Sequence, residues 1–136
     1  MKISSELIDQ IVAHALEDPR NEVCGVLAVT GEQPEPVRAA RVMRARNVYA
    51  SPLKFQIDGQ ELLELWNACQ EIGDLGAIYH SHVRSPPYPS QTDINFAAKW
   101  PGVEWIIVGL APGNEPEVRS YLIEGGEVRE VPLEAE

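Results

Sequence analysis

Cysteine is scarce in this chain of 136 residues: there are two, Cys24 and Cys69, both within apolar segments. Two cysteines cannot build a disulfide framework, and their surroundings mark them as small buried hydrophobes with no redox role. Positive charge is scarce as well. Eleven lysines and arginines stand against 21 aspartates and glutamates, for a net charge of −10. A chain this acidic lacks the clustered cations that phosphate contacts need, which excludes nucleic-acid binding as a function class. No run of about 18 apolar residues occurs, which excludes a membrane-spanning helix. The first residues, Met1 to Glu6, lack the apolar core of a secretory signal and are expected to open a helix. The cytoplasm is therefore the expected compartment. Repeats, low-complexity stretches and domain linkers are lacking too.

What is present is the composition of a globular domain, 44% hydrophobic and 24% charged. At this length one domain over residues 1–136 can bury a proper core. Leu7, Ile8, Ile11, Val12, Ala15 and Leu16 recur at helical spacing, and Pro19 ends that helix. Val23 to Thr30 reads as a strand, Gly31 to Pro36 as a turn, and Val37 to Arg44 as a strand pairing back. Arg38, Arg41, Arg44 and Arg46 form a local basic cluster. It reads as a solvated strand and its flank, or as a docking edge for an acidic partner. Asp58 and Glu61 resemble a capping box for a second helix with the stripe Leu62, Leu65, Trp66, Cys69 and Ile72, ending at Gly73. Val103 to Leu110 reads as a central strand. Gly125-Gly126 joins Glu117 to Ile123 with Glu127 to Val131 as a hairpin. The pattern predicts an α/β fold with a mixed β-sheet packed against helices.

The chemistry gathers between Ile78 and Asp93. Residues two apart on a strand share a face, so His80 and His82 reach one point while Ser81 turns away. Pro86, Pro87 and Pro89 stiffen the loop that follows. Asp93 then returns a carboxylate beside the imidazoles. Two imidazoles and a carboxylate make a three-ligand set for zinc, with a fourth position open for water, the mark of a catalytic site. Each piece alone has an ordinary reading. A His-x-His at a strand end is commonly solvated, and Ser90-x-x-Asp93 is also a helix-start pattern with Ser90 as N-cap. Together they fit one metal site, and capping and ligation are compatible. Other zinc patterns are lacking: there is no His-Glu-x-x-His helix and no Pro-Cys-x-x-Cys. His14 has no motif partner and reads as a surface or core residue.

Glu22, His80-Ser81-His82, a seven-residue spacer, and Ser90-x-x-Asp93 resemble the JAMM motif of the MPN-plus metalloprotease family. The likeness covers nearly the whole chain: Asn21 to Leu27 looks like the family's opening strand, and Asn47, Pro52 and Phe55 look like its middle landmarks. Val83 stands where many members carry proline. The likeness is thus closer to short bacterial members that cleave conjugates of ubiquitin-like sulfur-carrier proteins than to eukaryotic deubiquitinases. The resemblance implies a single MPN-like domain with zinc held by His80, His82 and Asp93. It implies Glu22 as general base and then acid, and Ser90 as support for the oxyanion. From local sequence alone, Glu22 reads as a solvated residue at a helix–strand junction. The implied substrate is a ubiquitin-like sulfur-carrier protein, cut after its Gly-Gly tail with release of cysteine. The alternatives are a desampylase-like isopeptidase, or a non-catalytic scaffold of the same fold; such scaffolds typically lack the ligands this chain retains. Oligomeric state is left open.

Overall fold

Two periodicities build the fold: strands alternate sides at period two, and helices bury one stripe against them. The computed structural model describes residues 1–31 and 37–136. In chain order the elements are β1 (Lys2–Ile3), α1 (Ser5–Glu17), β2 (Cys24–Thr30), β3 (Arg38–Ala45), α2 (Gly59–Ile72), β4 (Asp74–His82), α3 (Gln91–Ala97), β5 (Glu104–Gly109), β6 (Glu117–Glu124), β7 (Glu127–Val131) and β8 (Glu134–Ala135). The strands form one mixed sheet in the order β7-β6-β5-β4-β2-β3-β1-β8. β4 pairs antiparallel with β2 and parallel with β5. The result is a single small α/β domain.

The sheet buries both faces. On one, Cys24, Val26, Ile78 and Ile107 pack beneath Leu65 and Ile72 of α2 and Ile94 of α3. On the other, Leu27, Tyr79, Ile106 and Val108 pack against Ile11 and Ala15 of α1. Each fully buried aliphatic side chain contributes roughly 1.5–3 kcal/mol. His80 and His82 share the parity of Ile78, so they belong to the face covered by α2 and α3. Both cysteines are free and buried in this layer, and burial pushes the Cys24 thiol up to about 12.

The structure departs from the sequence expectations in places. A short β1 precedes the first helix, which begins at Ser5 with Ser4 Oγ accepting the Leu7 N–H at 3.3 Å. Two residues of strand carry no periodicity to read. Asp58 caps α2 by accepting from the N–H groups of Gln60 and Glu61. The box does not close, because Glu61 Oε1 instead accepts the Arg46 N–H at 2.9 Å. Trp66, expected on the apolar stripe of α2, is 40% exposed at its margin. β5 lies third from the β7 edge, while β4 and β2 hold the centre. The turn expected over Gly31 to Pro36 falls, from 32 to 36, outside the described residues. Gly125 and Gly126, with φ of 59° and 81°, make the two-residue turn expected between β6 and β7. Arg38 and Arg44 of the basic cluster pair with Glu136 and Glu17. Among the described residues, no helix is long and apolar enough to cross a membrane.

Candidate metal centre

His80 and His82 end β4, at the carboxyl end of its parallel pairing with β5, where open α/β sheets bind ligands. Both are buried. Their Nε2 atoms lie 3.1 Å apart. Asp93 Oδ2 lies 3.1 Å from His80 Nε2 and 3.3 Å from His82 Nε2. Zinc bonds of about 2.0–2.1 Å at tetrahedral angles set neighbouring ligand atoms about 3.3 Å apart, so the triangle has the size a tetrahedral ion requires. The donor chemistry agrees. His82 Nδ1 lies 2.8 Å from the Pro86 carbonyl and donates to it, which in the neutral, metal-binding ring leaves Nε2 as a bare acceptor facing the Asp93 carboxylate. A proton on His80 Nε2 would relieve one edge of the triangle only, and would leave His80 Nδ1, buried and unpartnered, as a bare acceptor. A cation satisfies all three ligand atoms at once.

The supports are local. Asp93 opens α3: its N–H donates to Ser90 Oγ at 3.1 Å, and its Oδ2 accepts the Ser90 N–H at 2.9 Å. The capping box and the cluster thus use the same carboxylate, as the spacing allows. Pro87 rests on Gly109, where a Cβ would stand 2.7 Å from the proline Cδ; only glycine at this position lets the loop lie on β5. Tyr121 donates its hydroxyl proton to the Pro87 carbonyl. Phe55 stacks on His80 with centroids 4.4 Å apart, holding by packing a ring whose Nδ1 has no hydrogen bond.

Glu22 arrives from elsewhere. Cys24 pairs with His80, and extending that register by two residues sets Glu22 opposite His82. Ser81 fastens this approach, for its N–H donates to the Val23 carbonyl at 3.1 Å while its Oγ accepts the Val23 N–H at 2.9 Å. From the outer side, the Glu22 N–H donates to the Ser51 carbonyl at 2.8 Å. Asn47 Nδ2 donates to the carbonyls of Glu22 and Lys54, each at 3.0 Å. Asn47 Oδ1 accepts from the N–H groups of Tyr49 and Gln56. Asn47 and Ser81 hold the backbone that carries Glu22, a part that no spacing in the sequence assigns to them. The spacing within His80-Ser81-His82 shows that Ser81 faces away, but not what it meets there.

Electrostatics separates these groups. Burial raises the Glu22 carboxyl to about 7, a rise that nearby Asp93 reinforces and His82 opposes. Burial lowers the His80 imidazole, which keeps it neutral, the form that binds metals. On His82, burial acts downward, but Asp93 and the Pro86 carbonyl outweigh it and raise the ring. Burial acts upward on Asp93, yet His80, His82 and the Ser90 N–H hold its carboxyl well below the usual range. A carboxyl near 7 beside one that is firmly ionised is the division expected of a proton carrier and a ligand. A cleft of about 880 Å³ opens beside the cluster, with Glu22, His82 and Ser90 in its wall. His14 lies outside it, with Nδ1 2.7 Å from the Tyr79 hydroxyl beneath α1.

The family of prokaryotic homologues of the JAB domain matches residues 4–124 of this chain. A CysO-cysteine peptidase of Mycobacterium tuberculosis is 34% identical over 132 residues, covering 96% of this chain and 88% of that protein. A desampylase of Haloferax volcanii is 36% identical over 113 residues, covering 79% of this chain and 78% of the other. Among solved structures, a protein from Desulfitobacterium hafniense superposes with a TM-score of 0.83 at 28% identity, covering 99% of this chain and 93% of that one.

Proposed function

This chain belongs to the family of prokaryotic homologues of the JAB domain, and from that premise we propose a zinc-dependent hydrolase of ubiquitin-like sulfur-carrier conjugates. It cuts after the carrier's C-terminal Gly-Gly and releases cysteine in the cytoplasm. The chain is a hydrolase of the JAMM type; the ion, the substrate and each residue's role complete the proposal. The observation that carries it is the buried triangle of His80, His82 and Asp93, with ligand atoms 3.1–3.3 Å apart beside a cleft that Glu22 and Ser90 also line.

In this reading His80, His82 and Asp93 hold zinc. A zinc ion with an open position supplies hydroxide near neutral pH and polarises a carbonyl. Glu22 accepts the proton that water gives up and delivers it to the departing nitrogen. The glycine carbonyl carbon gains the water oxygen, its C–N bond breaks, and the amine leaves with the transferred proton. Ser90 Oγ accepts the Asp93 N–H, which frees its own hydroxyl proton to donate to the oxyanion. A Gly-Gly tail has no side chains to clash and fits an extended approach to such a centre. The loop over 83–89 is short and tied down by His82 and Tyr121. It offers little surface to grip a second folded domain, which favours a small leaving amine. The name of the mycobacterial relative agrees with that amine being cysteine. The name of the haloarchaeal relative favours the second reading, release of carriers from protein lysines.

Elemental analysis of protein purified without added metal or chelator tests the ion, with one zinc per chain expected. Mass spectrometry of a carrier–cysteine adduct and a carrier–lysine isopeptide, incubated side by side, tests the substrate. Cleavage of the isopeptide with the adduct left intact favours the second reading. Failure to bind zinc, even when zinc is supplied, overturns the centre itself.

A further inference from the structure

We infer that Arg20 and Arg84 recognise the free α-carboxylate of the departing amino acid, making the enzyme selective for a C-terminal amino acid over a lysine side chain. The inference rests on the reading of the site as a Gly-Gly hydrolase and specifies its leaving group by chemistry.

The cleft that presents Glu22, His82 and Ser90 is also walled by Arg20 and Arg84. Glu22 is the one carboxylate in that wall against two guanidinium groups. The chain as a whole carries 21 acidic and 11 basic residues, so the cleft reverses the balance of the molecule. Arg38, Arg44 and Arg119 each spend their charge on a neighbouring carboxylate. Arg20 and Arg84 have no such partner among the described residues. Other unpaired arginines exist on this protein, but these two alone stand in the wall of the cleft. Asp18, the acid nearest Arg20 in sequence, is committed elsewhere. Its carboxylate accepts from the N–H groups of Arg20 and Asn21 at 3.4 and 3.2 Å and from Asn21 Nδ2 at 3.4 Å. It shapes the turn that carries Arg20 and leaves the guanidinium free. Arg84 sits in the segment fixed by the contact between His82 Nδ1 and the Pro86 carbonyl.

Each arginine is two residues from a group in the site: Arg20 from Glu22, and Arg84 from His82. Two residues of chain span at most about 7 Å, so the backbones that carry both side chains lie close to Glu22 and His82. The substrate decides what such cations can meet. The Gly-Gly tail is uncharged, so its side of the scissile bond offers them carbonyl oxygens but no opposite charge. When the leaving group is an α-amino acid, its carboxylate is one carbon away from the scissile nitrogen. In this cleft it comes near Glu22, which repels it whenever Glu22 is ionised. A planar guanidinium binds a carboxylate through two parallel hydrogen bonds and offsets that repulsion. A lysine Nε is followed by four methylenes and brings no carboxylate to this place. Arginines here are useful for one leaving group and idle for the other.

The test uses the zinc-loaded enzyme and a ubiquitin-like carrier joined through its terminal glycine to three amines: cysteine, cysteinamide and the Nε of a blocked lysine. The cysteine adduct should be cleaved about 10–100-fold better, in kcat/KM, than the cysteinamide adduct, as expected for loss of a charge-assisted pair. Arg20→Gln and Arg84→Gln should each erase much of that gap by slowing the acid while leaving the amide unchanged, with zinc content intact. Arg84→Lys should restore part of it. The same preference should appear as affinity in Glu22→Gln, whose slowed turnover lets binding be measured first. Equal cleavage of acid and amide overturns the carboxylate role and leaves the hydrolase reading standing. Cleavage of none of the three conjugates by an enzyme that holds zinc overturns the hydrolase reading, and this inference with it.

Discussion

The candidate site has two sides built by different rules. The side from His80 to Asp93 is nearly self-contained, a strand end, a proline-stiffened loop and a capped helix within fourteen consecutive positions. Its internal bonds are short-range: His82 to Pro86, and Ser90 to Asp93 in both directions. The side that presents Glu22 has no such unity. Glu22 is held by Ser51 and Asn47, its neighbour Val23 by Ser81, and its distance from the triangle by the pairing of β2 with β4. The three proposed ligands therefore come from one local segment, while the proposed proton carrier depends on tertiary structure. Substitutions should separate the two sides cleanly.

The largest effect is expected on the local side. His82→Ala or Asp93→Asn should lose zinc and activity together, by more than the ~10–100-fold that removal of a group behind a ligand costs. Chelator competition would measure the affinity. A variant that kept its zinc while losing activity would remove that residue from the ligand set. On the other side, Glu22→Gln should keep zinc and fold yet lose ~10²–10⁴-fold in turnover, because an amide cannot accept the proton. Full activity in that variant on a carrier conjugate would break the assigned mechanism.

The same contrast explains what the sequence could tell. The α/β class, the capped α3 and the convergence of His80, His82 and Asp93 are legible because periodicity and fixed local spacing specify them. Glu22 is not, since its nearest ligand in sequence is His80 and only the register of two strands joins them. Its role came from the likeness to a family. Asn47 matches a landmark of that family, but its four hydrogen bonds come from a loop that has no periodic pattern. β1 and β8, two residues each, fell below any pattern's length. Two arginines of the basic cluster, Arg38 and Arg44, form surface pairs with Glu136 and Glu17 that are worth little to stability.

A third prediction uses pH on the metal-free protein. The Glu22 carboxyl titrates near 4.5 when unfolded and about 7 when folded. Below 4.5 it is neutral in both states and costs nothing. As pH rises from 4.5 to 7, the unfolded chain releases this proton first, and folding loses stability up to a plateau above 7. Glu22→Gln should therefore stabilise the metal-free protein at pH 8 and not at pH 4, by at most about 3 kcal/mol. Asp93 carries the opposite sign: its depressed carboxyl stabilises the fold above the ordinary carboxylate range, and this is lost as pH falls. Urea unfolding across this range, with and without each substitution, would check both signs. A Glu22→Gln difference that did not change with pH would mean that Glu22 is not held in a desolvating position.

The smallest effect tests the seam between the two sides. Ser81 lies between His80 and His82 in sequence, yet its bonds go to Val23. Its backbone N–H still donates to the Val23 carbonyl when the side chain is changed. Ser81→Ala removes only the hydroxyl that accepts the Val23 N–H, leaving a buried donor unsatisfied at a cost of ~1–3 kcal/mol. The alanine Cβ keeps the strand and the alternation that aims His80 and His82, so zinc affinity should stay within a few-fold of the parent. What loosens is the segment one residue from Glu22, so turnover should fall more than zinc affinity, with the pH midpoint of kcat moved toward the ordinary carboxylate value as Glu22 gains water. Zinc competition, urea unfolding and a pH profile on one preparation would read all three. A loss of zinc equal to the loss of turnover would show that Ser81 serves the ligands on its own strand, and the two sides of the site would then be a single unit.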